Sequence, residues 1–407
     1  MSSEVDANSD MDENVQRELT IKEEYQLWRK NCRYMYEFVS ETALTWPSLT
    51  IQWLPQHTEE DGVIQSKLLL GTHTSGEDTN YLKVASTELP SSQPTESAKK
   101  ATSRIKISKK LTNDYEINRA RYMPQDPDTV ATINGEGNID IYGLKSEEKN
   151  SLLHITPHDR NGYGLSWNSH RKGYLLSSSD DKSIVLTDIN REALTSNQIF
   201  KNNSHSDIVN DVKWHTLDEN MFASVSDDKH AYIFDLRTPN RPVSLFYNEV
   251  SDGINSVAFS PFSKYLLAVG NTNSNINVLD LRKFSNNVKS KDGLLHTMMG
   301  HSDSITSLEF SPHRDGIIAS GAQDRRLIVW DLFKIGEEQQ QEDAEDGCPE
   351  LFMMHAGHTG SVTDLSWCPY KDWTIGSVAD DNIVHLWEVG KSLLEDGVGE
   401  IKETDLE

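Results

Sequence analysis

Four copies of one polar pattern, spaced at identical intervals, constrain this chain more than any other feature. In the clearest copy, His301, Ser320, Asp324 and Trp330 are separated by 19, 4 and 6 residues. The same intervals recur in three further copies, two of which carry Thr or Phe in place of Trp: His158, Ser177, Asp181, Thr187; His205, Ser224, Asp228, Phe234; and His358, Ser377, Asp381, Trp387. Such repetition indicates a repeated structural unit.

Alternating apolar runs accompany the polar pattern, and they predict short strands in every copy. Counting against Trp330 gives seven closing-strand positions, 45 to 57 residues apart: Ala85, Tyr142, Thr187, Phe234, Leu279, Trp330 and Trp387. This period is typical of the WD repeat, in which each repeat supplies a four-stranded propeller blade. The repeat at residues 250–281 has Val269 and Asn273 where Ser and Asp would lie, so its polar set is expected to be missing. We predict an all-β fold, a seven-bladed WD40 β-propeller over residues 40–390 with an N-terminal α-helix packed on its side.

The polar residues of the repeat are interpreted as structural. In a blade, Asp324 orients His301, whose ring bonds Ser320, which meets the indole N–H of the closing Trp. A nucleophile triad uses similar residue types but needs one special location, whereas this set recurs from blade to blade. His154 and His158 are four residues apart, yet His158 already belongs to its blade, so a metal pair is not expected. With no Gly-rich phosphate loop either, the sequence predicts no catalytic residue, no metal site and no cofactor.

An N-terminal helix is predicted ahead of the repeats. Residues 1–19 are acidic and polar and are expected to form a disordered tail. Thr20 and Glu23 form a capping box, and apolar residues recur at helical spacing as far as Val39, which predicts a helix over residues 20–39. A blade has no place for such a helix, so we expect it to lie against the outside of the propeller.

The two ends of the chain are expected to meet in one blade. The last repeat shows only three strands, and residues 38–44 are predicted to supply the fourth, because an open sheet edge invites aggregation. Two insertions interrupt the repeats: residues 87–104 are interpreted as a mobile loop, and residues 336–350 carry seven acids and no base. Residues 391–407 are expected to be an acidic tail.

Composition excludes several classes of function. The chain has 64 acidic residues against 39 Lys and Arg, a formal charge of −25, so direct binding of nucleic acid is not expected. Cys32, Cys348 and Cys368 show no paired spacing, which argues against disulfides and zinc. No signal peptide and no apolar run of about 18 residues is found, so we expect an intracellular protein without a membrane segment.

The acidic insertion is interpreted as part of a binding site, although a run of like charge is more often a solvated loop. Joined chain ends would bring the predicted helix close to residues 336–350. An apolar helix flank beside a carboxylate loop suits a basic, amphipathic partner helix. Leu27, Tyr34 and Phe38 lie outside the apolar stripe of the helix, and they either widen its packed face or remain for the partner.

The chain resembles the retinoblastoma-binding-type histone chaperones, a WD-repeat family, over residues 20–390. The resemblance is carried by these segments: EEYQLWRKN (23–31), TWPSLTIQWLP (45–55), LLGTHTSGE (69–77), NRARYMPQDP (118–127), GYGLSW (162–167), WDLFKIGEE (330–338), EDAEDG (342–347) and DDNIVHLW (380–387). It implies a non-enzymatic subunit of chromatin assembly, type B histone acetyltransferase, deacetylase or centromere-loading complexes, similar above all to the fungal members. It also implies a nuclear protein at chromatin, and it is compatible with a centromeric location and with a cytoplasmic pool.

The resemblance further implies two binding sites. The first holds the first helix of histone H4, together with H3 or its centromeric variant, and by position it comprises Tyr34, Met35, Phe38, Glu342, Asp343, Glu345, Asp346, Leu351 and Phe352. The second, on the narrow face of the ring, takes basic peptides such as the H3 tail and comprises Glu116, Asn118, Arg119, Tyr163, Asn255 and Asp380. Asn161, Asn210 and Ser304 replace family glutamates there, so we expect weak binding.

Two interpretations remain open from the sequence. The leading one is a histone-binding scaffold that presents H3–H4 to an enzyme or a deposition factor. The alternative is a WD-repeat scaffold of a centromere or kinetochore assembly complex that uses the same groove for a non-histone helix. A propeller hydrolase is disfavoured because the sequence offers no unrepeated catalytic set.

Overall fold

The computed structural model shows a ring of seven β-sheets with one long helix against its side. It describes residues 3–91, 101, 104–238, 241–284, 293–340 and 347–394, and the side chains of the long helix from Leu19 onward. This helix is α1 (Ser3–Met35), and a short helix, α2 (Lys391–Leu394), follows the last strand. No helix within these ranges is long and apolar enough to cross a membrane. The predicted fold, a seven-bladed propeller with a helix at its side, is confirmed.

Each sheet is antiparallel and forms one blade, with its first strand innermost. Blade 1 contains β2 (Ile51–Trp53), β3 (Thr58–Glu60), β4 (Val63–Leu70), β5 (Asn80–Pro90) and β6 (Lys106–Asn113). Blade 2 contains β7 (Ile117–Met123), β8 (Asp126–Asn134), β9 (Ile139–Gly143) and β10 (Leu153–Ile155). Blade 3 contains β11 (Gly162–Trp167), β12 (Tyr174–Ser179), β13 (Ile184–Asn190) and β14 (Thr195–Asn202).

The remaining blades follow in chain order around the ring. Blade 4 contains β15 (Val209–Trp214), β16 (Met221–Ser226), β17 (His230–Asp235) and β18 (Ser244–Tyr247). Blade 5 contains β19 (Ile254–Phe259), β20 (Leu266–Asn271), β21 (Ile276–Asp280) and β22 (Leu294–Met298). Blade 6 contains β23 (Ile305–Phe310), β24 (Ile317–Ala322), β25 (Leu327–Asp331) and β26 (Leu351–His355). Blade 7 contains β27 (Val362–Trp367), β28 (Thr374–Ala379), β29 (Ile383–Val389) and, at its outer edge, β1 (Tyr36–Ala43).

Apolar clusters between neighbouring blades hold the ring together. Among the described residues there are seven such clusters, one for each pair of adjacent blades, and β2 of the first blade contacts β27 of the last. The seven closing-strand residues predicted from the sequence all lie in the third strand of a blade (β5, β9, β13, β17, β21, β25 and β29). Removing these apolar surfaces from water supplies most of the stabilisation of such a ring.

The ends of the chain are joined within blade 7. β1 pairs antiparallel with β29, from Tyr36 opposite Val389 to Ala43 opposite Ile383. The predicted outer strand from the N-terminal region is therefore confirmed, with a start two residues earlier than expected. The pairing completes the fourth strand and covers the edge that β29 would otherwise expose.

The boundaries of α1 differ from the predicted ones at both ends. The helix begins at Ser3 rather than at Thr20, because no Gly or Pro precedes Pro47 and nothing interrupts a helix ahead of the capping-type pair. It ends at Met35 rather than at residue 39, because the chain from Tyr36 onward exchanges helical hydrogen bonds for those of the sheet. The expected disordered tail falls on residues whose side chains lie outside the described part.

The first insertion is shorter than predicted. β5 extends to Pro90 and pairs with β4 along its length, so the first four residues of the predicted loop, 87–90, belong to a strand. Long alternation of buried and exposed side chains stabilises this extension against a neighbouring strand. Residues 92–100 and 102–103, on which most of the mobile-loop prediction falls, lie outside the described residues.

The C-terminal segment also begins with regular structure that was not predicted. Lys391–Leu394 form α2, and Leu393 and Leu394 pack against the apolar cluster between blades 6 and 7. The backbone N–H of Gly390 donates to Met35 O at 2.8 Å, which fixes this segment to the end of α1. The predicted acidic tail beyond it, residues 395–407, lies outside the described residues.

The repeated polar set has the predicted structural role. In blade 6, Trp330 Nε1 donates to Ser320 Oγ at 2.8 Å, Ser320 Oγ lies 2.7 Å from His301 Nε2, and His301 Nδ1 lies 2.9 Å from Asp324 Oδ2. The His–Ser and His–Asp contacts recur in blades 3, 4 and 7. The closing Trp387 differs, because its indole N–H has no partner among the described residues and its ring stacks 4.6 Å from His355.

Two blades without the His–Ser–Asp set use buried amides instead. In blade 5, Asn248 Nδ2 donates to the side-chain oxygens of Asn271 and Asn277 at 2.9 and 3.1 Å. In blade 2, Asn113 Nδ2 donates to Asp140 Oδ2 and to Tyr142 Oη at 3.2 and 2.9 Å. Each network satisfies polar groups that would otherwise be costly to bury.

The two tryptophan-closed blades allow a matched test of this network. Ser320→Ala leaves both the His301 ring nitrogen and the Trp330 indole unpaired, whereas Ser377→Ala leaves only the ring nitrogen of His358 unpaired. We expect Ser320→Ala to lower the free energy of unfolding by about 1 kcal/mol more than Ser377→Ala. Urea denaturation followed by circular dichroism measures the difference, and equal losses in the two variants would contradict the assignment.

Candidate functional site

Helix α1 lies across the outer edges of blades 6 and 7. Glu24 Oε2 on α1 accepts hydrogen bonds from Arg325 and Arg326, which lie in the turn before β25 of blade 6, at 3.1 and 2.8 Å. On the other side, Tyr25 Oη donates to Glu41 of β1 in blade 7 at 3.0 Å. The helix therefore bridges two blades, and its polar contacts fix its direction along them.

Trp28 is the apolar anchor of α1. Its side chain is buried in the cluster between blades 6 and 7, with its ring centroid 5.4 Å from that of His355 and 5.7 Å from that of His385. Gly357 makes this close approach feasible, because a Cβ at that position would lie 2.6 Å from the Trp28 ring. Burying so large an aromatic ring contributes strongly to docking of the helix.

A buried hydrogen-bonded chain continues from this anchor into the ring. Trp28 Nε1 donates to Tyr36 Oη at 2.9 Å, Tyr36 Oη lies 2.8 Å from His355 Nδ1, and His355 Nε2 lies 3.1 Å from His385 Nδ1. With Tyr36 donating to Nδ1, His355 carries its proton on Nε2 and donates to His385. The chain thus links α1, β1, β26 and β29 through four side chains.

The two histidines of this chain are held neutral. Burial, together with the neighbouring His385 and His358, lowers the pKa of His355 well below 6.5, and burial lowers that of His385 in the same direction. A second proton on either ring would also remove an acceptor from the chain. The structure therefore favours the uncharged cluster at neutral pH.

The same region contains the only set of three potential metal ligands among the described residues. Ring nitrogens of His355, His358 and His385 lie within 4.8 Å of one another. Both nitrogens of His358 are already engaged, by Asp381 and Ser377, and the rings of His358 and His385 lie 4.1 Å apart at 34°, so their in-plane lone pairs do not converge. These residues fit a neutral hydrogen-bonded cluster better than a metal site.

Partly buried aromatic and apolar side chains surround the C-terminal end of α1. We name this region the helix–blade surface and define it by Tyr34, Met35, Lys334, Phe352 and Trp373. Met35, Phe352 and Trp373 pack against the same cluster, and the Phe352 and Trp373 rings lie 5.2 Å apart. The Lys334 ammonium lies over the Phe352 ring at 5.8 Å. This surface combines an apolar floor with incomplete burial, as protein-binding sites do.

Of the predicted histone H4 residues, the structure brings three together: Tyr34, Met35 and Phe352. Leu351 packs against the cluster between blades 5 and 6, because successive residues of a strand face opposite sides. Phe38 likewise lies away from the others, in the cluster between blades 7 and 1. Lys334 and Trp373 were not predicted, and Trp373, in a turn with φ +54°, gave no signal in the sequence.

The acidic insertion begins and ends beside the helix–blade surface. It leaves blade 6 after the turn Leu332–Lys334, where Glu337 and Glu338 are exposed, and it returns at Leu351. Near its end the buried Glu350 carboxylate pairs with His296 at 2.6 Å, which anchors the return to the fold. The four predicted acidic ligands, Glu342, Asp343, Glu345 and Asp346, lie outside the described residues.

On the narrow face, residues of the second predicted site tie one blade to the next. A β-bulge interrupts the start of most innermost strands, and the bulged residues include Asn118, Asn210 and Asn255. Their side-chain amides donate to backbone carbonyls of the following innermost strand at 2.8, 3.0 and 2.9 Å. Asn118 also bonds Asn161, and Asn255 bonds Ser304. These amides therefore have structural partners already.

The other predicted residues of this face are divided between surface and channel. Glu116 pairs with His73 at 2.9 Å, and burial raises the pKa of the Asp380 carboxyl. Burial, with the Asp180 carboxylate nearby, raises the pKa of Tyr163 to about 12. Arg119 does not belong to the face: it lies in the central channel and pairs with Asp211 at 2.5 Å.

Two carboxylates of the narrow face were not predicted from the sequence. Asp180 and Asp227 occupy the turns that follow β12 and β16, in the same place as Asp380 after β28. Asp227 accepts from Asn210 at 2.7 Å, and burial raises the pKa of its carboxyl. The repeated Asp-Asp pair after each of these strands was the available signal.

Comparison with protein-family models gives two matches. Residues 23–91 match a model that describes the histone-binding protein RBBP4 and its counterpart in the CAF1 complex. Residues 196–235, 293–331 and 350–388 match the model of the WD domain, G-beta repeat. The first match spans the end of α1 and all of β1, the elements that build the helix–blade surface.

Curated relatives are similar over nearly their whole length. A "Histone acetyltransferase type B subunit 2" of Debaryomyces hansenii is 69% identical, with 100% of each chain covered. The proteins of the same name from Candida albicans and Candida glabrata are 62% and 43% identical, covering 98% and 92% of this chain and 100% and 90% of their own.

The neutral histidine pair predicts that stability falls in mild acid. In the unfolded chain both histidines take up protons below about pH 6.5, whereas in the folded chain their lowered pKa values delay protonation. Their contribution is therefore complete above that pH and is lost as the pH falls, with a limiting slope of about 2.7 kcal/mol per pH unit for two protons.

A single substitution isolates this effect from the other titrating groups. In His385→Gln one of the two protons is absent, so the pH dependence of unfolding between pH 7.5 and 5.5 should be about half as steep for this pair. Thermal unfolding of both proteins across this range provides the measurement. Parallel pH profiles for the wild type and the variant would contradict the prediction, because His385 would then bind protons equally in the folded and unfolded chains.

Proposed function

The chain belongs to the family of histone-binding WD-repeat proteins that includes the histone acetyltransferase type B subunit 2 proteins, and from this premise we propose that it is the histone-binding, non-catalytic subunit of such a complex. The observation that carries the proposal is the 69% identity over the full length of a relative so named. The subunit binds histone and presents it to the acetyltransferase, in a nuclear, chromatin-directed role.

The partner segment that we propose for the helix–blade surface is the first helix of histone H4, held as H3–H4. Support comes from the chemistry of the region. Met35, Phe352 and Trp373 offer a partly exposed apolar floor, and Glu337 and Glu338 begin an insertion with seven acids. A basic amphipathic helix would bury its apolar stripe on the floor and direct its Lys and Arg towards the insertion.

The alternative of a centromere or kinetochore scaffold that binds a non-histone helix has no specific observation in its favour. None of the three relatives named above carries a name that refers to the centromere. Binding of H4 with a centromeric H3 variant stays a proposal of the same kind as binding with H3, because the helix–blade surface would contact the H4 helix in either case.

Charge reversal in the insertion tests the H4 proposal. Asp343→Lys combined with Asp346→Lys should weaken binding of an H4 first-helix peptide at least about 100-fold, because like charges would then face the basic helix. Fluorescence anisotropy with a labelled peptide gives the dissociation constants.

A matched control is available far from the helix–blade surface. Glu147 and Glu148 are exposed in the turn between β9 and β10 of blade 2, and reversing both to Lys changes the net charge equally. This control should keep the affinity within about threefold of wild type at physiological salt. Retained affinity in the Asp343/Asp346 variant, or an equal loss in the control, would contradict the proposed site.

The narrow face provides a second test, on the H3 tail. Because Asn161, Asn210 and Ser304 are uncharged and share hydrogen bonds with neighbouring amides or acids, we expect an unmodified H3 tail peptide to bind more weakly than micromolar. Replacing all three by Glu should strengthen binding by about tenfold or more. Isothermal titration calorimetry distinguishes the outcomes, and micromolar or tighter binding by the wild type would contradict the prediction.

A further inference from the structure

A ring of side chains lines the central channel, one from each innermost strand. The equivalence follows from the sheet register, in which Lys213, Ala258 and Glu309 each lie opposite an Ala of the next strand: Ala223, Ala268 and Ala319. Each of these residues precedes the aromatic residue that ends its strand. The full ring is Gln52, Arg121, Ser166, Lys213, Ala258, Glu309 and Ser366.

Two arginine–aspartate pairs cross the channel on the side of this ring nearer the narrow face. Arg119 and Arg121, both on β7, pair with Asp211 of blade 4 at 2.5 Å and with Asp364 of blade 7 at 3.0 Å. Asp364 also accepts from the backbone N–H of Ile51 at 2.9 Å. The charges of these pairs are therefore matched within the fold.

Beyond these pairs the channel widens into a cavity of about 550 Å³. Its lining includes residues that directly follow innermost strands, Pro124, Thr216, Pro261 and Pro312 among them. The cavity therefore opens on the face opposite the bulged asparagines. Its volume suits a small molecule.

Two opposite charges face this cavity without a partner that satisfies them. The Lys213 ammonium lies 3.9 Å from Asp211 Oδ2, too far for a hydrogen bond, and that carboxylate is already paired with Arg119. Glu309 accepts at Oε2 from the Trp367 backbone N–H at 3.0 Å, and its Oε1 has no hydrogen bond among the described residues. Burial lowers the pKa of Lys213 and raises that of Glu309, so both charged forms are costly here.

The residue between them in the ring is small. Ala258 occupies the equivalent position in blade 5, between Lys213 in blade 4 and Glu309 in blade 6. We propose that the cavity binds a free α-amino acid as a zwitterion over Ala258, with the ligand carboxylate on Lys213 and the ligand ammonium on Glu309. Such a ligand satisfies both groups at once and leaves the net charge of the cavity unchanged.

Single-charge ligands fit the same groups less well. An anion on Lys213 leaves Glu309 unpaired and adds negative charge beside it, and a cation on Glu309 does the converse near Lys213 and Arg121. The remaining walls are apolar or aromatic, with Val257, Leu308 and Phe310 among them, so a side chain of the ligand has room beside uncharged surface.

Thermal unfolding with simple probes tests the proposal on the full chain. L-Alanine and L-glutamine, each at about 10 mM, should raise the unfolding midpoint by roughly 1–2 °C. Sodium acetate and methylammonium chloride, alone or together at the same concentration and ionic strength, should give no such shift. Calorimetric titration of the same amino acids then gives the affinity.

Three variants separate the geometry from the charges. Lys213→Met and Glu309→Gln each remove one contact and should weaken binding about tenfold or more, while Ala258→Leu keeps both charges and fills the space between them, abolishing the shift. Absence of any shift or heat with the amino acids overturns the proposal, as does an equal shift with acetate or methylammonium alone. Unchanged binding in Lys213→Met, or in a folded Ala258→Leu, overturns it as well, and circular dichroism reports folding of each variant.

Discussion

The antiparallel pairing of β1 with β29 is the constraint on which the other features depend. A seven-bladed ring closes only when its last blade meets its first, and blade 7 has just three strands of its own from the C-terminal repeat. Because β1 supplies the fourth, the apolar clusters between blades 6 and 7 and between blades 7 and 1 both include N-terminal residues. Closure is thus a property of the whole chain.

The same pairing determines where α1 lies. The helix ends at Met35 and the strand begins at Tyr36, so no linker separates them and α1 must continue along the outer edge of blade 7. Trp28 and Tyr36 then share one buried chain of hydrogen bonds with His355 of blade 6 and His385 of blade 7. The helix–blade surface is formed where α1, β26 and α2 meet, and its rigidity follows from this buried chain.

The sequence predicted features that repeat and features that come from one strong local signal. Fixed intervals located Ser320 and Trp330 in their network, and the missing fourth strand located β1. Side-chain direction was harder, because neighbouring residues of a strand face opposite sides: Asn118 lies on the narrow face, and Arg119 next to it enters the channel. The amide network around Asn113 escaped notice because an unlike residue replaces His there.

The placement of Arg119 and Arg121 separates the two ends of the channel. Both reach across it from a single strand, β7, and their pairs with Asp211 and Asp364 lie between the narrow-face amides and the cavity that contains Lys213 and Glu309. Buried ion pairs of this kind contribute little net stability, since desolvation offsets most of their attraction. Their effect is instead to divide the channel, so that a ligand in the cavity and a peptide on the narrow face contact different residues. Together with the helix–blade surface on the outside, the ring then offers three chemically distinct regions held by one closure.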